Sequence, residues 1–413
     1  MGRTEPFRPP ADTADARRLN RSAVLTHFLA VEVSTRTELA RATGLSQATV
    51  SRVVEGLLQE ALVIEGSSVV SGRRGRAAVS LKVRAELGLI CGVDLGGTNC
   101  RFLLADLLGR PLAITSHLTP CELGADALAV WVTERVRDLV AGRGSDLKAV
   151  AVGLPGVVSP SRLEVSGAPN LPQIEGEVFA RRLARHMPAV VTMHNDSNLA
   201  LLGELRFGAG RGMSTAVMFT IGTGVGAGVA IDGQLFSGRH GMVGEFGYLP
   251  AGPSGELIEA MLSGSGLVTR ARALGARVHS AADVFDPDAS TILAPIRAQF
   301  DRGLLLAIVA ASVAYEPEAV IIGGGLSAVI APRLGETIRQ LRDLVPAAPD
   351  LVIAELGDLS GTLGALAAAS KSAYTALGVT EADTAALPPS SAVDIVRAHL
   401  KETIADSLHV SAS

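Results

Sequence analysis

The sequence predicts an α/β chain in two parts: a small head of three helices with a strand pair, then a large body whose buried strands run into glycine-rich turns. Three observations carry that prediction. Apolar residues recur at helical spacing in three short segments before residue 60. From Leu89 onward, apolar runs end repeatedly in clusters of glycine. Charge divides at the same place: residues 1–84 hold 13 Lys and Arg against 8 Asp and Glu, net +5, and the rest is net −9 within a total of −4. A basic head on an acidic body places any polyanionic partner at the head. A chance cluster of solvated arginines is the competing reading.

At 413 residues the chain exceeds the usual single domain, and 48% hydrophobic against 19% charged residues is ample for cores. Its 45 glycines follow no three-residue period, so they belong to tight turns and ligand loops rather than to a fibre. Cys91, Cys100 and Cys121 are too few for a disulfide framework or a four-thiolate zinc site, which points to a reducing cytoplasm. Residues 1–20 lack the apolar stretch of a signal peptide, and later apolar runs are cut by glycine or charge before membrane length. Neither export nor a membrane role is expected.

Between Arg18 and Ala30, the residues Leu19, Val24, Leu25, Phe28 and Leu29 describe one amphipathic helix. A shorter helix spans Arg36 to Thr43 and ends at Gly44-Leu45. A third opens at Ser46, whose hydroxyl suits an N-cap, and turns Val50, Val53, Val54 and Leu57 inward. Ala40 is small where two helices must approach, Gly44 permits a left-handed turn, and Val50 plugs a small core. These are the parts of a helix-turn-helix. Its Gln47, Thr49, Ser51 and Arg52 are of the kind that reach base edges and phosphates from a recognition helix. Leu62-Val63-Ile64, a turn around Gly66-Ser67-Ser68, Val69-Val70 and the alternating Ala78-Val79-Ser80-Leu81 then flank an arginine-glycine tip. This reads as a β-wing whose Arg73, Arg74 and Arg76 track a phosphate backbone or enter a minor groove, with a basic linker as the alternative.

In the body, Leu89 to Val93 has a buried-strand pattern and runs into Asp94-Leu95-Gly96-Gly97-Thr98-Asn99, after which Arg101 to Asp106 returns. Glycines at such a turn let backbone amides approach phosphate oxygens, and Asp94 can hold a metal ion or water beside them. The pattern repeats at Val217 to Ile221, Gly222-Thr223-Gly224-Val225-Gly226 and Ala227 to Ile231. A third cluster, Gly323-Gly324-Gly325, follows Ala319 to Ile322. Three such turns over two halves suggest a duplicated α/β architecture that clamps a nucleotide across a cleft. Between the first two, Met193-His194-Asn195-Asp196-Ser197-Asn198 ends a strand and opens a helix. There Asp196 can accept a proton from a sugar hydroxyl while Asn195 holds neighbouring hydroxyls. An N-cap role for Asp196 or Ser197 competes with that reading.

DLGGTN, the Gly153-Leu154-Pro155-Gly156 turn, Ala168-Pro169-Asn170-Leu171, HNDSN, IGTGVGAG, GEFG at Gly244 to Gly247, and IIGGG together resemble the ROK family of repressors and sugar kinases over roughly residues 18 to 370. The resemblance implies a two-lobed, actin-like ATPase architecture in homodimers or homotetramers. It implies that Asn170, Asn195, Asp196, Glu245 and Glu259 contact a sugar, with Asp196 as the base in kinase members. Glu259 is placed by its spacing to Ser263-Gly264. Asp94, Gly96, Gly97, Thr98, Gly222, Thr223 and Gly224 would border ATP phosphates. Two departures stand out. Where members typically carry a histidine after Glu-x-Gly and then a cysteine-rich zinc loop, this chain has Tyr248, and Leu249 to Leu257 contains no cysteine. Zinc is therefore not expected, and the pocket must be shaped differently.

The expected organisation is a flexible N-terminus at 1–17, a winged helix-turn-helix at 18–84, a sensor body at 85–376 and a C-terminal extension at 377–413 with a surface-docked helix from Ala392 to Leu408. The expected function is a regulator that binds a double-stranded DNA operator and responds to a sugar-like effector. The alternative is an ATP-dependent sugar kinase carrying a DNA-binding head. No metal or cofactor is required for the first reading; ATP and Mg2+ enter only with the second.

Overall fold

The computed structural model describes residues 13–69, 78–159, 162–251, 255–286, 288, 290–380 and 398. Helix α1 (Thr13–Val31) starts inside the segment expected to be flexible rather than at Arg18. Asp15 in its first turn favours that upstream start, since a carboxylate there complements the helix dipole, and it pairs with Arg18. After β1 (Val33–Thr35) comes α2 (Arg36–Thr43), which opens on a capping box: the Thr35 side chain accepts from Glu38 N while the Glu38 carboxylate accepts from Thr35 N. Gly44 closes α2 at φ 71°, a conformation that suits glycine, and Ser46 caps α3 (Gln47–Gln59).

β2 (Val63–Val69) and β3 (Ala78–Val83) complete a three-stranded sheet in the order β1-β3-β2. Two expectations need correction here. Gly66-Ser67-Ser68 is no turn; β2 runs through it with a register shift between Glu65 and Ser68. A Cβ on Gly66 would fall 2.6 Å from Ser80 Oγ, so glycine lets the bulged strand stay against β3. The sheet also has a third strand, β1, between the first two helices. Arg73, Arg74 and Arg76 lie outside the described residues, as does nearly all of the segment from Ala392 to Leu408.

The body repeats one pattern twice. In the first lobe β4 (Gly88–Leu95), β5 (Asn99–Asp106) and β6 (Pro111–Leu118) form an antiparallel meander. Following α4 (Ala125–Val140), β7 (Asp146–Leu154) joins parallel to β4; the small hairpin β8 (Val157–Val158) and β9 (Val165–Ser166), then α5 (Val178–His186), lead to the parallel β10 (Val190–Asn195). The order is β10-β7-β4-β5-β6. Helix α6 (Asp196–Phe207) leads into the second lobe.

There β11 (Ala216–Ile221), β12 (Val225–Ile231) and β13 (Gln234–Leu235) repeat the meander. Helices α7 (Ile258–Leu262), α8 (Gly264–Ala273) and α9 (Ala294–Tyr315) precede β14 (Ala319–Gly323). Next come α10 (Ser327–Ile330), α11 (Leu334–Leu344), β15 (Asp350–Ile353) and α12 (Ser360–Ala376). The order β13-β12-β11-β14-β15 is that of the first lobe, strand for strand, which is the duplication the glycine turns implied.

Each lobe's last helix crosses to the other lobe: α6 packs on β11 and β12, and α12 packs on β4, β5 and β7. Where the two helices meet there is room for backbone only. A Cβ on Gly364 would fall 1.7 Å from Leu199 O, and one on Gly203 2.2 Å from Ser360 O. The fully buried Glu204 fastens the same joint, its carboxylate accepting from Ala209 N, Glu355 N, Leu356 N and Ser360 Oγ at 2.8–3.1 Å.

Head and body meet across the expected boundaries at residues 84 and 376. Ala85, Leu108, Tyr374 and Val379 belong to the same buried cluster as Val24, Phe28, Val50 and Leu57. The head is therefore packed onto the body through a shared core, with Glu32 at the seam pairing with Lys82 and Arg110.

Replacing Glu204 by alanine removes the acceptor for four donors in one step. Since a buried donor left unsatisfied costs about 1–3 kcal/mol, Glu204→Ala should lower stability by roughly 3 kcal/mol or more, measured by urea unfolding.

Candidate functional site

The two equivalent hairpin turns face each other across the gap between the lobes. In the first, Gly96 N donates to Asn99 O at 3.0 Å, and the turn is fixed from outside by Thr119 Oγ1 donating to Gly96 O and Cys121 Sγ to Gly97 O. Gly97 lies so close to Asn170 that a Cβ would fall 2.7 Å from its carbonyl oxygen. In the second, Gly222 N donates to Gly224 O, Gly264 N to Gly222 O and Ser265 Oγ to Thr223 O. Thus α8 begins directly against the turn.

Between them is a cavity of about 650 Å³. It is lined by Gly96, Gly97, Asn170, Asn195, Asp196, Gly222, Thr223, Gly224, Glu245 and Glu259, bringing together ten residues that the sequence singled out. Asp94 and Thr98 are not among its lining residues. Asp94 sits behind the turn, 4.0 Å from Arg101 and 3.5 Å from Thr362 Oγ1, and Thr98 is exposed. Glu175, Thr220, Tyr248 and Leu257 line the cavity without having been anticipated as contacts. Glu175 has no local signal, because it reaches the site by folding back to accept from Ala168 N. The sequence distinguishes Tyr248 only as a departure from the family pattern; its hydroxyl reaches over Gly167, so it extends from the second lobe toward the first.

The start of α6 resolves the competing roles at residues 195–197. Asn195, rather than Asp196 or Ser197, is the N-cap: its Oδ1 accepts from Asn198 N, and its Nδ2 donates to Gly156 O and Asp196 Oδ1. Asn195 therefore orients Asp196 and ties it to the Pro155-Gly156 turn. Asp196 stands as the first helical residue, where Ser197 N donates to its Oδ1 and the helix dipole favours an anion. Burial nevertheless raises its pKa to about 6, with a further contribution from Asp94.

Burial also raises Glu245, to about 7, reinforced by the charges of Asp196 and Glu259, and it raises Glu259. Glu259 accepts from Val225 N through Oε2 at 3.0 Å. The cavity thus holds four carboxylates, Glu175, Asp196, Glu245 and Glu259, and no Lys, Arg or His among its described lining residues. Its side chains mainly offer acceptors. A ligand suited to it presents hydroxyl or other N–H and O–H donors. Beside it, a second cavity of about 510 Å³ shares Gly222 and Thr223 and extends over Ser265, Arg272 and Gly325.

At the head, α3 presents exposed Gln47 and Arg52 with half-buried Ser51, while the Thr49 hydroxyl is engaged 2.9 Å from Ser46 Oγ within the cap. Exposed Glu55 follows one turn after Ser51 and places an acidic side chain on the same face. Among the described residues, no group of three or more His, Cys, Asp or Glu has a metal-holding arrangement, and no helix is long and apolar enough to cross a membrane.

Two like-folded lobes closing on a glycine-lined cleft, joined by crossed helices, define an actin-like α/β protein of the sugar-kinase type with a helix-turn-helix head. The chain belongs to the ROK family, whose model matches residues 90–372. It is 30% identical over 263 residues to a glucokinase of Thermotoga maritima, covering 58% of this chain and 82% of that one. It is 27% identical over 237 residues to a xylose repressor of Caldicellulosiruptor bescii, covering 56% of this chain and 58% of the repressor. Among solved structures, a ROK family transcriptional regulator homologous to the E. coli MLC protein superposes with a TM-score of 0.73 over 90% of this chain and 99% of that one, at 20% identity. A Streptomyces griseus ROK glucokinase in complex with glucose and AMPPNP gives 0.55 over 68% and 99%, at 28% identity. Repressors and kinases are thus both relatives.

The raised carboxylates have a consequence for stability. Glu245 titrates near 7 when folded against an ordinary value of 4.5, and Asp196 near 6 against 3.8, so the native state holds more protons between about pH 4 and 7. Their contribution is fully present below the unfolded values and is lost as pH rises through the folded ones. Glu245→Gln should therefore flatten the decline in melting temperature from pH 5 to 8 and raise Tm at pH 8 by roughly 2–4 °C. Scanning calorimetry at stepped pH checks this; an unchanged slope would sink the assignment.

Proposed function

We propose that this chain is a DNA-binding transcriptional regulator whose body senses an unphosphorylated sugar or a closely related polyol. The single observation that carries the proposal is the pairing of an exposed α3, set by the Gly44 turn and the Ser46 cap, with an acceptor-rich cleft in one continuous structure. The resemblance to a xylose repressor supports it. Double-stranded DNA meets Gln47, Ser51 and Arg52 at base edges, and the wing arginines Arg73, Arg74 and Arg76 are assigned to the phosphates. Sugar hydroxyls donate to Asp196, Glu245 and Glu259, with Asn170 supplying an amide. Asn195 acts by holding Asp196. The protein works as a homodimer or homotetramer in the cytoplasm, and needs no bound metal for this role.

A sugar kinase is the second reading, and the two adjoining cavities favour keeping it. Sugar and nucleotide could occupy the two sides of the Gly222 turn, with Gly96, Gly97, Gly222, Thr223 and Gly224 bordering phosphates and Asp94 acting from behind through water or Mg2+. In that reaction Asp196 takes the proton of a sugar hydroxyl as its oxygen bonds to the γ-phosphorus and the bond to ADP breaks. Against it stands Tyr248, 57% exposed in place of the family's histidine, in a loop without zinc-binding cysteines. A loosely held sugar is compatible with sensing, but misplacement by about 1 Å costs roughly 100-fold in rate.

Thermal-shift titration with neutral monosaccharides and their 6-phosphates should show stabilisation by a neutral sugar and none by its phosphate. Asp196→Asn should abolish that shift while sugar-free DNA binding persists. On DNA selected from a random duplex pool by the full-length protein, Arg52→Ala should reduce discrimination by roughly 1–3 kcal/mol. ATP-dependent sugar phosphorylation that Asp196→Asn eliminates would replace the sensor reading with the kinase.

A further inference from the structure

Sensing requires a physical route from the cleft to the head, and one helix is built into both. At its start α12 touches the back of the cleft: a Cβ on Gly361 would fall 2.8 Å from Asp94 Oδ2, and Thr362 Oγ1 donates to the same oxygen over 3.5 Å. At its far end Tyr374 is wholly buried in the head's core, and its hydroxyl donates to Leu107 O at 2.6 Å. Immediately beyond, Arg21 Nε donates to Leu377 O at 3.2 Å and Thr380 N to Ser22 Oγ at 2.8 Å.

Thr362 and Tyr374 lie 12 residues apart on this one proline-free helix, about 18 Å along its axis. Within its second turn, close to Thr362, the Gly364 contact locks the helix to α6, whose first residue is Asp196. A contact with no side chain in it cannot deform gradually. Packed interfaces of this kind shift between discrete arrangements.

We propose that α12 is the lever through which occupancy of the cleft resets the recognition helix, with Thr362 as its coupling point at the cleft and Tyr374 at the head. The proposal rests on the sensor reading and adds its route. A ligand that draws on Asp94 or changes the separation of the lobes moves the start of α12. Tyr374, held by both the head's core and Leu107, cannot follow without repacking the head against the first lobe. Thermodynamic linkage makes the coupling reciprocal: a change at Tyr374 must be felt at the cleft.

Hydrogen exchange on the full-length protein without added ligand tests this in both directions. Thr362→Val should accelerate exchange of the amides of Arg21 to Phe28 and Leu377 to Thr380 by about 5-fold or more, the lower range of site-to-site coupling. Val136→Ala opens a cavity in the separate core beneath α4 and should leave those amides at wild-type rates. Conversely, Tyr374→Phe keeps the ring and removes the bond to Leu107, and should accelerate exchange at Ser197 and Asn198. Head amides unmoved by Thr362→Val, or moved equally by Val136→Ala, would overturn the proposal. If Thr362→Val does not fold, unchanged exchange at Ser197 and Asn198 in Tyr374→Phe overturns it alone. Because no sugar or DNA is present, this result is independent of the binding assays that test the sensor reading.

Discussion

The body turns on the contact between α6 and α12, two helices from different lobes that approach with only backbone between them. Gly203 and Gly364 make that approach geometrically available, and Glu204 makes it durable by gathering the amide of Ala209 just past α6 and those of Glu355 and Leu356 just past β15. Everything functional is referred to this joint. Asp196 opens one of the crossed helices and Gly361, against Asp94, lies at the opening of the other. The two glycine turns hang from the strands those helices cover. A rotation of the lobes about this joint would change the cleft's width and leave each turn's own hydrogen bonds intact.

What the sequence made legible was local. A hydroxyl at a helix start, a glycine requiring positive φ and a strand running into a glycine cluster each state their geometry within five or six residues, and Ser46, Gly44 and the Gly96 and Gly222 turns all do so. The Thr35-x-x-Glu38 box was equally local and was overlooked, although its spacing announces it. Other features could not be read because their meaning depends on distant partners. Glu204 looks like an ordinary surface position of an amphipathic helix, and Tyr374 like the end of a body helix. Gly66-Ser67-Ser68 has turn composition, yet the pairing of β2 with β3 overrides it. In the cleft, the residue types were legible and their roles less so: Asn195 is consumed in capping, and Asp94 stands behind the turn rather than in the cavity.

Grouping Asp196, Glu245 and Glu259 in a half-buried pocket works against folding, because burial and mutual repulsion both penalise the charged forms. A site shaped by stability alone would not be built this way. Hydrogen-bond donors placed against these carboxylates would offset that penalty. Hydroxyl groups bring donors without adding negative charge, whereas a phosphate would add to the repulsion.

The shared core of head and body bears on the order in which the molecule is made. The helices of the head emerge from the ribosome first, but Tyr374 and Val379, which complete their core, are separated from them by most of the chain. At about 5–20 residues per second, that wait lasts on the order of 15–60 s. A chain not yet extended to Tyr374 therefore has α3 without the part of its buried core that Tyr374 and Val379 supply. Completion of the body and completion of the head's buried core are tied together.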